Sequence, residues 1–326
     1  MGIFPGEVLF TINGNFQHID WSHDEVDSEP FEHFGTMETY IIAPGITIGL
    51  TEYLNFSYNQ ILGIRSMHWG PDQESIHHRE ESTLTDYINN KGFVQAIGGL
   101  LGDARFKIRY LYKNVGMKEG SRIYFGLGML APSKSVLTES PFLVNQEDWP
   151  EDIDTTWTGE HRHFSLSDGV YKGLLEFQLF NKRHRNPVFY GLAANIEAPL
   201  SESKYEFMPG ISYNLVTSLV YNNGGYDSQK NFNFSPLGFS FGLSLLGVTE
   251  ASWHGVPTPN SESTILVPSF GGIWKLNKGT VSISLQKPIF ITGLAQSDDD
   301  PLNNKANAFE VVFGYRRNLG YMIPWL

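Results

Sequence analysis

The chain has 326 residues, a formal net charge of -12, no cysteine, 33 glycines and an aromatic share of 14%. So acidic a balance argues against a nucleic-acid partner, because phosphate contacts need a basic face, and the lack of cysteine excludes disulfides and thiolate metal sites. No run of 18 apolar residues occurs, which excludes a membrane-spanning helix but not a strand barrel, whose alternation keeps mean hydropathy low (here -0.22). The start, "MGIFPGEVLF", lacks a basic opening and a sustained apolar stretch, so a mature form with an added start Met is expected.

Alternation with period two runs along most of the chain. Val8, Phe10, Ile12 and Phe16 oppose Thr11, Asn13, Asn15 and Gln17, and Leu54, Phe56 and Tyr58 oppose Asn55, Ser57 and Asn59. Phe106, Ile108, Tyr110 and Tyr112 oppose Arg105, Lys107 and Arg109; Ile123, Phe125, Leu127 and Met129 oppose Tyr124, Gly126 and Gly128. The pattern returns at 171–179, 188–197, 237–245, 281–285 and 309–315, and less cleanly at 40–50, 205–215 and 264–276. This predicts about twelve strands, each near the ~9–11 residues that a tilted strand needs to cross a bilayer.

One face of these strands carries Phe, Tyr, Leu, Ile and Val, and the other is dominated by Gly, Ser and Asn with scattered charges. Small residues suit the concave interior of a closed cylinder, and bulky apolar ones suit lipid. Connections at 51–52, 114–120, 182–186 and 277–279 are short, whereas 19–37, 67–102, 133–168, 248–262 and 292–307 are long. Near-alternation of the two lengths predicts an all-β fold: one transmembrane antiparallel up-and-down barrel over residues 1–326, with long extracellular loops and short periplasmic turns. The stretch 200–237 breaks this rhythm, and a soluble β-sandwich is the competing reading.

"GGLLGDARFKIRYLYKN…GSRIYFGLGMLAPS" (98–133) and "STILVPSFGGIWKLNKGTVSISLQKPIFITG" (263–293) carry a resemblance to bacterial outer-membrane transporter-like barrels. That group includes those of the meta-pathway of phenol degradation family. Ser269 and Phe270 stand where that pattern has Pro-Gly. The resemblance implies a bacterial outer-membrane channel for passive uptake of small hydrophobic or aromatic solutes, with no catalytic residue to carry over. Its expected partners are outer-membrane lipid, lipopolysaccharide and a small-molecule solute.

The expected lumen-lining residues are Arg65, Arg105, Lys107, Arg109, Lys172, Glu176, Asn195, Glu197, Glu310 and Arg316, with Glu206 facing the same cations. Ions there must be paired or hydrated, so they either knit a sealed interior or line a wet pore. Leu84, Tyr87 and Ile88 share one face of a short helix, whose place is either over the mouth as a constriction or on the outer surface.

Among ten histidines, His18, His23, His161 and His163 are candidate metal ligands, since His-x-His on an extended segment puts both rings on one side. The acidic stretches at 18–34, 145–160 and 297–302 offer hard oxygen ligands to Ca²⁺, though without an EF-hand loop; no resident cofactor is expected. Two further readings stand beside the channel. One is a structural barrel with a sealed lumen whose acidic loops bind a partner, a metal or lipopolysaccharide. The other is an outer-membrane hydrolase using His163 with Ser165, Ser167 and Asp168, a constellation that a polar loop explains equally well.

Overall fold

A computed structural model describes residues 3–24, 32–69, 100–115, 119–138, 165–182, 188–222, 236–258, 261–293 and 305–326, and every regular element among them is a strand. The wall begins with β1 (Glu7–His23), β2 (His33–Gly49), β3 (Leu54–Trp69), β4 (Leu101–Lys113), β5 (Gly120–Ala131), β6 (Lys172–Lys182) and β7 (Val188–Pro199). It continues with β9 (Ser212–Asn222), β10 (Gly238–Val248), β13 (Ser263–Leu276), β14 (Gly279–Gln286), β15 (Ile289–Thr292) and β16 (Lys305–Met322). Three two-residue strands, β8 (Phe207–Met208), β11 (Ser252–Trp253) and β12 (Val256–Pro257), form a separate small sheet.

Successive wall strands pair antiparallel, β10 pairs with β13, and β1 pairs with β16, which closes the sheet. Counting β14 and β15 as one interrupted strand gives twelve wall positions. Closure pairs each wall strand with a neighbour on both sides through the middle of the barrel, the condition for a sheet to stand in hydrocarbon. The break falls at Lys287-Pro288: proline has no N–H to give the ladder, and β15 pairs with β13 but not with β16. On the outer face the Lys287 ammonium reaches across to the Asn307 side-chain oxygen.

The two faces separate as the alternation predicts. Leu127 is 66% exposed, Leu175 59% and Leu285 61%, values that a water-soluble sheet would not accumulate on one surface. Exposed Tyr53, Tyr110, Tyr112, Tyr221 and Tyr321 gather toward the turn end, as an interfacial girdle does. Inside stand the polar partners: Thr11 of β1 lies beside Arg316 of β16, and Asn55 of β3 beside Arg109 of β4.

Three expectations are corrected. Residues 19–23 and 33–37, read as loop, belong to β1 and β2, with Trp21 opposite Gly35. The outer face there carries His18, Asp20 and Glu38, so the apolar signal stops before the strand does. The strand placed at 205–215 lies at 212–222, because Pro209-Gly210 interrupts the alternation. With that shift, 200–211 falls at the loop end, where a long connection is expected, while β9 ends and β10 begins at the turn end, so the connection between them is still longer than the short turns found elsewhere at that end.

The hairpin β13–β14 offers a direct test of the faces. Leu285→Lys puts a charge against hydrocarbon and should cost about 2–4 kcal/mol, whereas Ser282→Lys, pointing into the lumen, should stay within about 0.5 kcal/mol of wild type. Denaturant unfolding from lipid vesicles measures both; equal costs would refute the assignment.

Candidate functional site in the barrel lumen

Glycines on β5 decide which charges meet. Arg109 on β4, Gly126 on β5, Glu176 on β6 and Asn195 on β7 occupy one row across four strands. A Cβ at Gly126 would lie 2.9 Å from the Glu176 Cβ, so a bare backbone there lets Glu176 lean across β5 toward β4. Its Oε1 accepts from the Arg109 Nε at 2.7 Å, and its Oε2 is paired with the Lys107 ammonium. Glu176 is only 9% exposed, so the two cations replace much of the hydration that burial removes. One turn of the pattern higher, Arg105 reaches Glu197 of β7, Nη2 to Oε1, at 2.6 Å.

At the loop end the segment 165–170, following β5 in the chain, folds inward. Its Ser165 carbonyl accepts from Arg65 Nη1 at 3.0 Å, and its Asp168 pairs with Lys172. The buried Asp103 carboxylate accepts from the Ser133 amide at 3.1 Å, and Ser167 Oγ accepts from the same amide at 3.2 Å. Leu166 lies close over Gly63 and Gly102, where an added Cβ would stand 3.3 and 3.1 Å from it. A short stretch of loop is thereby pinned inside the mouth by three strands. Near this level Gln17 donates to Glu310.

Below the pinned segment is a cavity of about 670 Å³, bounded by Arg105, Lys107, Arg109, Arg316, Tyr124 and Gln178 on its polar side. Leu9, Ile41, Ile61 and Phe180 supply apolar patches, and Ile3 reaches in from the turn end. Arg316 makes no ion pair among the described residues, and its exposed surface faces this space. Tyr124 is 4% exposed and its hydroxyl has no hydrogen-bond partner among the described residues.

Of the expected lumen residues, Arg105, Lys107, Arg109, Glu176, Glu197 and Arg316 are thus gathered around one space; Arg65 and Lys172 hold the inward segment above it, and Glu310 stands near that upper level. Tyr124 and Phe180 were absent from that set. The parity of Tyr124 with Gly126 and Gly128 was the available signal, whereas Phe180 is an apolar residue on a polar face, which a rule built on polarity passes over. Glu206 is a correction: it sits outside the wall at φ 59°, where its carboxylate meets His254 Nδ1 at 2.8 Å.

His18 points outward, 3.2 Å from Asp20 and 3.4 Å from Glu38, and stacks near Phe309. His23 packs between Trp21 and His33, with ring centroids 5.9 and 4.7 Å away. Among the described residues no three potential ligands gather around a metal position. His161, His163, the helix expected around Leu84, Tyr87 and Ile88, and most of the acidic stretches lie outside the described residues. Ser165 Oγ donates to the Ser167 carbonyl at 2.7 Å, Ser167 Oγ accepts from the Gly169 amide at 3.1 Å, and Asp168 is bound to Lys172, so these groups serve the turn.

A closed antiparallel barrel with an apolar outer wall and a charged interior defines a transmembrane β-barrel, and this is the architecture of the bacterial outer membrane. An outer membrane channel from Pseudomonas putida F1 is similar at a TM-score of 0.58 and 11% identity, covering 98% of this chain and 97% of that one. A FadL homologue from Pseudomonas aeruginosa (TM-score 0.41, 8% identity, 97% and 90% covered) is a more distant likeness. So is the translocator domain of the autotransporter NalP from Neisseria meningitidis (TM-score 0.39, 11% identity, 94% and 88% covered). No family model and no curated protein sequence matches the chain. The resemblance to outer-membrane transporter-like barrels is therefore borne out at the level of the fold.

The triad should behave as one unit. Glu176→Gln leaves two cations facing each other and should cost about 1–3 kcal/mol, less than a fully dry pair because lumen water reaches them. Gly126→Val, by pushing Glu176 off the row, should cost a similar amount. The double variant should cost clearly less than the sum, a coupling that denaturant unfolding in detergent would read. Strict additivity would show that Gly126 does not act through Glu176.

Proposed function

We propose that this barrel is a channel that admits small solutes by passive diffusion and performs no chemistry on them. The observation that carries the reading is the polar, charge-bearing cavity within a lipid-embedded wall, narrowed at the loop end by a segment that Arg65, Asp103 and Lys172 hold in place. A barrel of twelve strands is intermediate between small cylinders filled by side chains and porins that leave an aqueous channel, so a narrow pore suits its size. The fold likeness to a protein described as an outer membrane channel agrees with this role. Apolar patches beside the charges favour solutes with a hydrophobic or aromatic body. Lipid at the outer wall and a small molecule inside are the partners that this reading needs.

The same ion pairs would also suit a sealed structural barrel, so the test separates the two. In planar bilayers the wild-type protein should give discrete conductance steps. Arg65→Ala, which frees the Ser165 carbonyl, should enlarge them. Absence of conductance in both proteins, each folded, would overturn the channel and leave the scaffold.

A further inference from the structure

The protein as a whole carries twelve more acidic than basic residues, yet the lumen cavity inverts that balance. Arg105, Lys107, Arg109 and Arg316 line it, and no carboxylate does among the described residues. Glu176 and Glu197 stand behind the cations they pair with, so four positive groups against two negative ones leave a surplus of two. Arg316 comes from β16, five strand positions round the wall from β5 and nearly opposite the Arg109–Glu176 row. Like charges converge there from two walls.

Tyr124 adds a buried hydroxyl to the same wall. Its neighbours in charge are Arg109, Arg122 and Arg316, all donors that carry no acceptor. A buried hydroxyl with no partner costs about 1–3 kcal/mol, and a guanidinium facing another guanidinium adds to that. One ligand with acceptor oxygens and negative charge would satisfy all of these groups together. Two coplanar oxygens fit the guanidinium fork, and a hydrocarbon body beyond them would lie against Leu9, Ile41, Ile61 and Phe180. At about 670 Å³ the space is within the range of about 300–1,000 Å³ common to small-molecule sites.

We infer that the lumen cavity is a binding site for an amphipathic monocarboxylate, with Arg316, Arg109 and the Tyr124 hydroxyl on the carboxylate and the apolar wall on its hydrocarbon part. The solute class of the channel is then an organic anion, and not a neutral hydrocarbon. In its consequence for transport this rests on the channel reading above; the binding site does not.

Calorimetry on the detergent-solubilised full chain, with benzoate, benzyl alcohol, benzylammonium and inorganic phosphate as probes, tests it. Benzoate should bind at least about tenfold tighter than benzyl alcohol or phosphate, benzylammonium should not bind, and added salt should weaken the benzoate isotherm. Arg316→Gln should lose about tenfold, Arg316→Lys should recover part of it, and Tyr124→Phe should lose several-fold, each checked for folding by heat-modifiable gel mobility. In bilayers the reversal potential of the wild type should indicate anion selectivity that falls in Arg316→Gln. Equal binding of benzoate and benzyl alcohol, phosphate binding as tight as benzoate, or a folded Arg316→Gln indistinguishable from wild type would each overturn the site. Should the variants fail to fold, the wild-type probe series alone decides. Conduction without benzoate preference overturns only this inference, whereas benzoate binding by a barrel that never conducts overturns only the channel.

Discussion

A sheet in hydrocarbon has no water to complete its hydrogen bonds, and everything else in this protein follows from that. An open edge in lipid would leave a row of N–H and C=O groups unsatisfied, at a cost of several kcal/mol each. The pairing of β1 with β16 joins the two edges a flat up-and-down sheet would keep. Once the sheet is a cylinder, successive side chains have only two destinations, lipid or lumen, and the period of two becomes a rule about solvation. Apolar bulk goes outward because it is cheap there, and along the middle of the wall charges go inward because that is where water and counter-charges are.

What happens inside then depends on steric allowance as much as on charge. Arg109 and Glu176 lie on strands separated by β5, too far apart to meet if an ordinary side chain stood between them. The glycines of β5 clear that path, so Gly126 is as much a part of the ion network as the ions. The protein gives up side-chain packing on one strand and gains a carboxylate shared by two cations. Arg316, entering from nearly the opposite wall, is left outside this settlement.

Much of the architecture was legible in the sequence because alternation is a local signal: the strand count, the faces and the short turns could be read from neighbouring residues. The ends of β1 and β2 could not, since above the lipid band His18, Asp20 and Glu38 replace apolar residues on the outer face while the strands continue. Pro209-Gly210 hid the register of β9 by joining a loop to a strand without a change of composition. Which ions pair was illegible for a different reason. Glu206 and Glu176 look alike in sequence, and only the row that joins four strands sets one in the lumen and leaves the other on a loop with His254. Tyr124 and Phe180 show the limit of a polarity rule inside a lumen, where a ring can serve as wall.

Pro288 has a mechanical meaning beyond its effect on strand assignment. Elsewhere around the wall, parting two strands means breaking a ladder of backbone hydrogen bonds. Between Ile289–Thr292 and Lys305–Phe309 no such ladder is present among the described residues, and one side-chain bridge from Lys287 to Asn307 spans the line. Among the described residues this line at the loop end is a place where the cylinder parts more easily. Amides of β16 that face it should exchange with solvent deuterium well before those on the side paired to β1. The barrel is stiff as a hoop but has a join here, and its position was set by a proline.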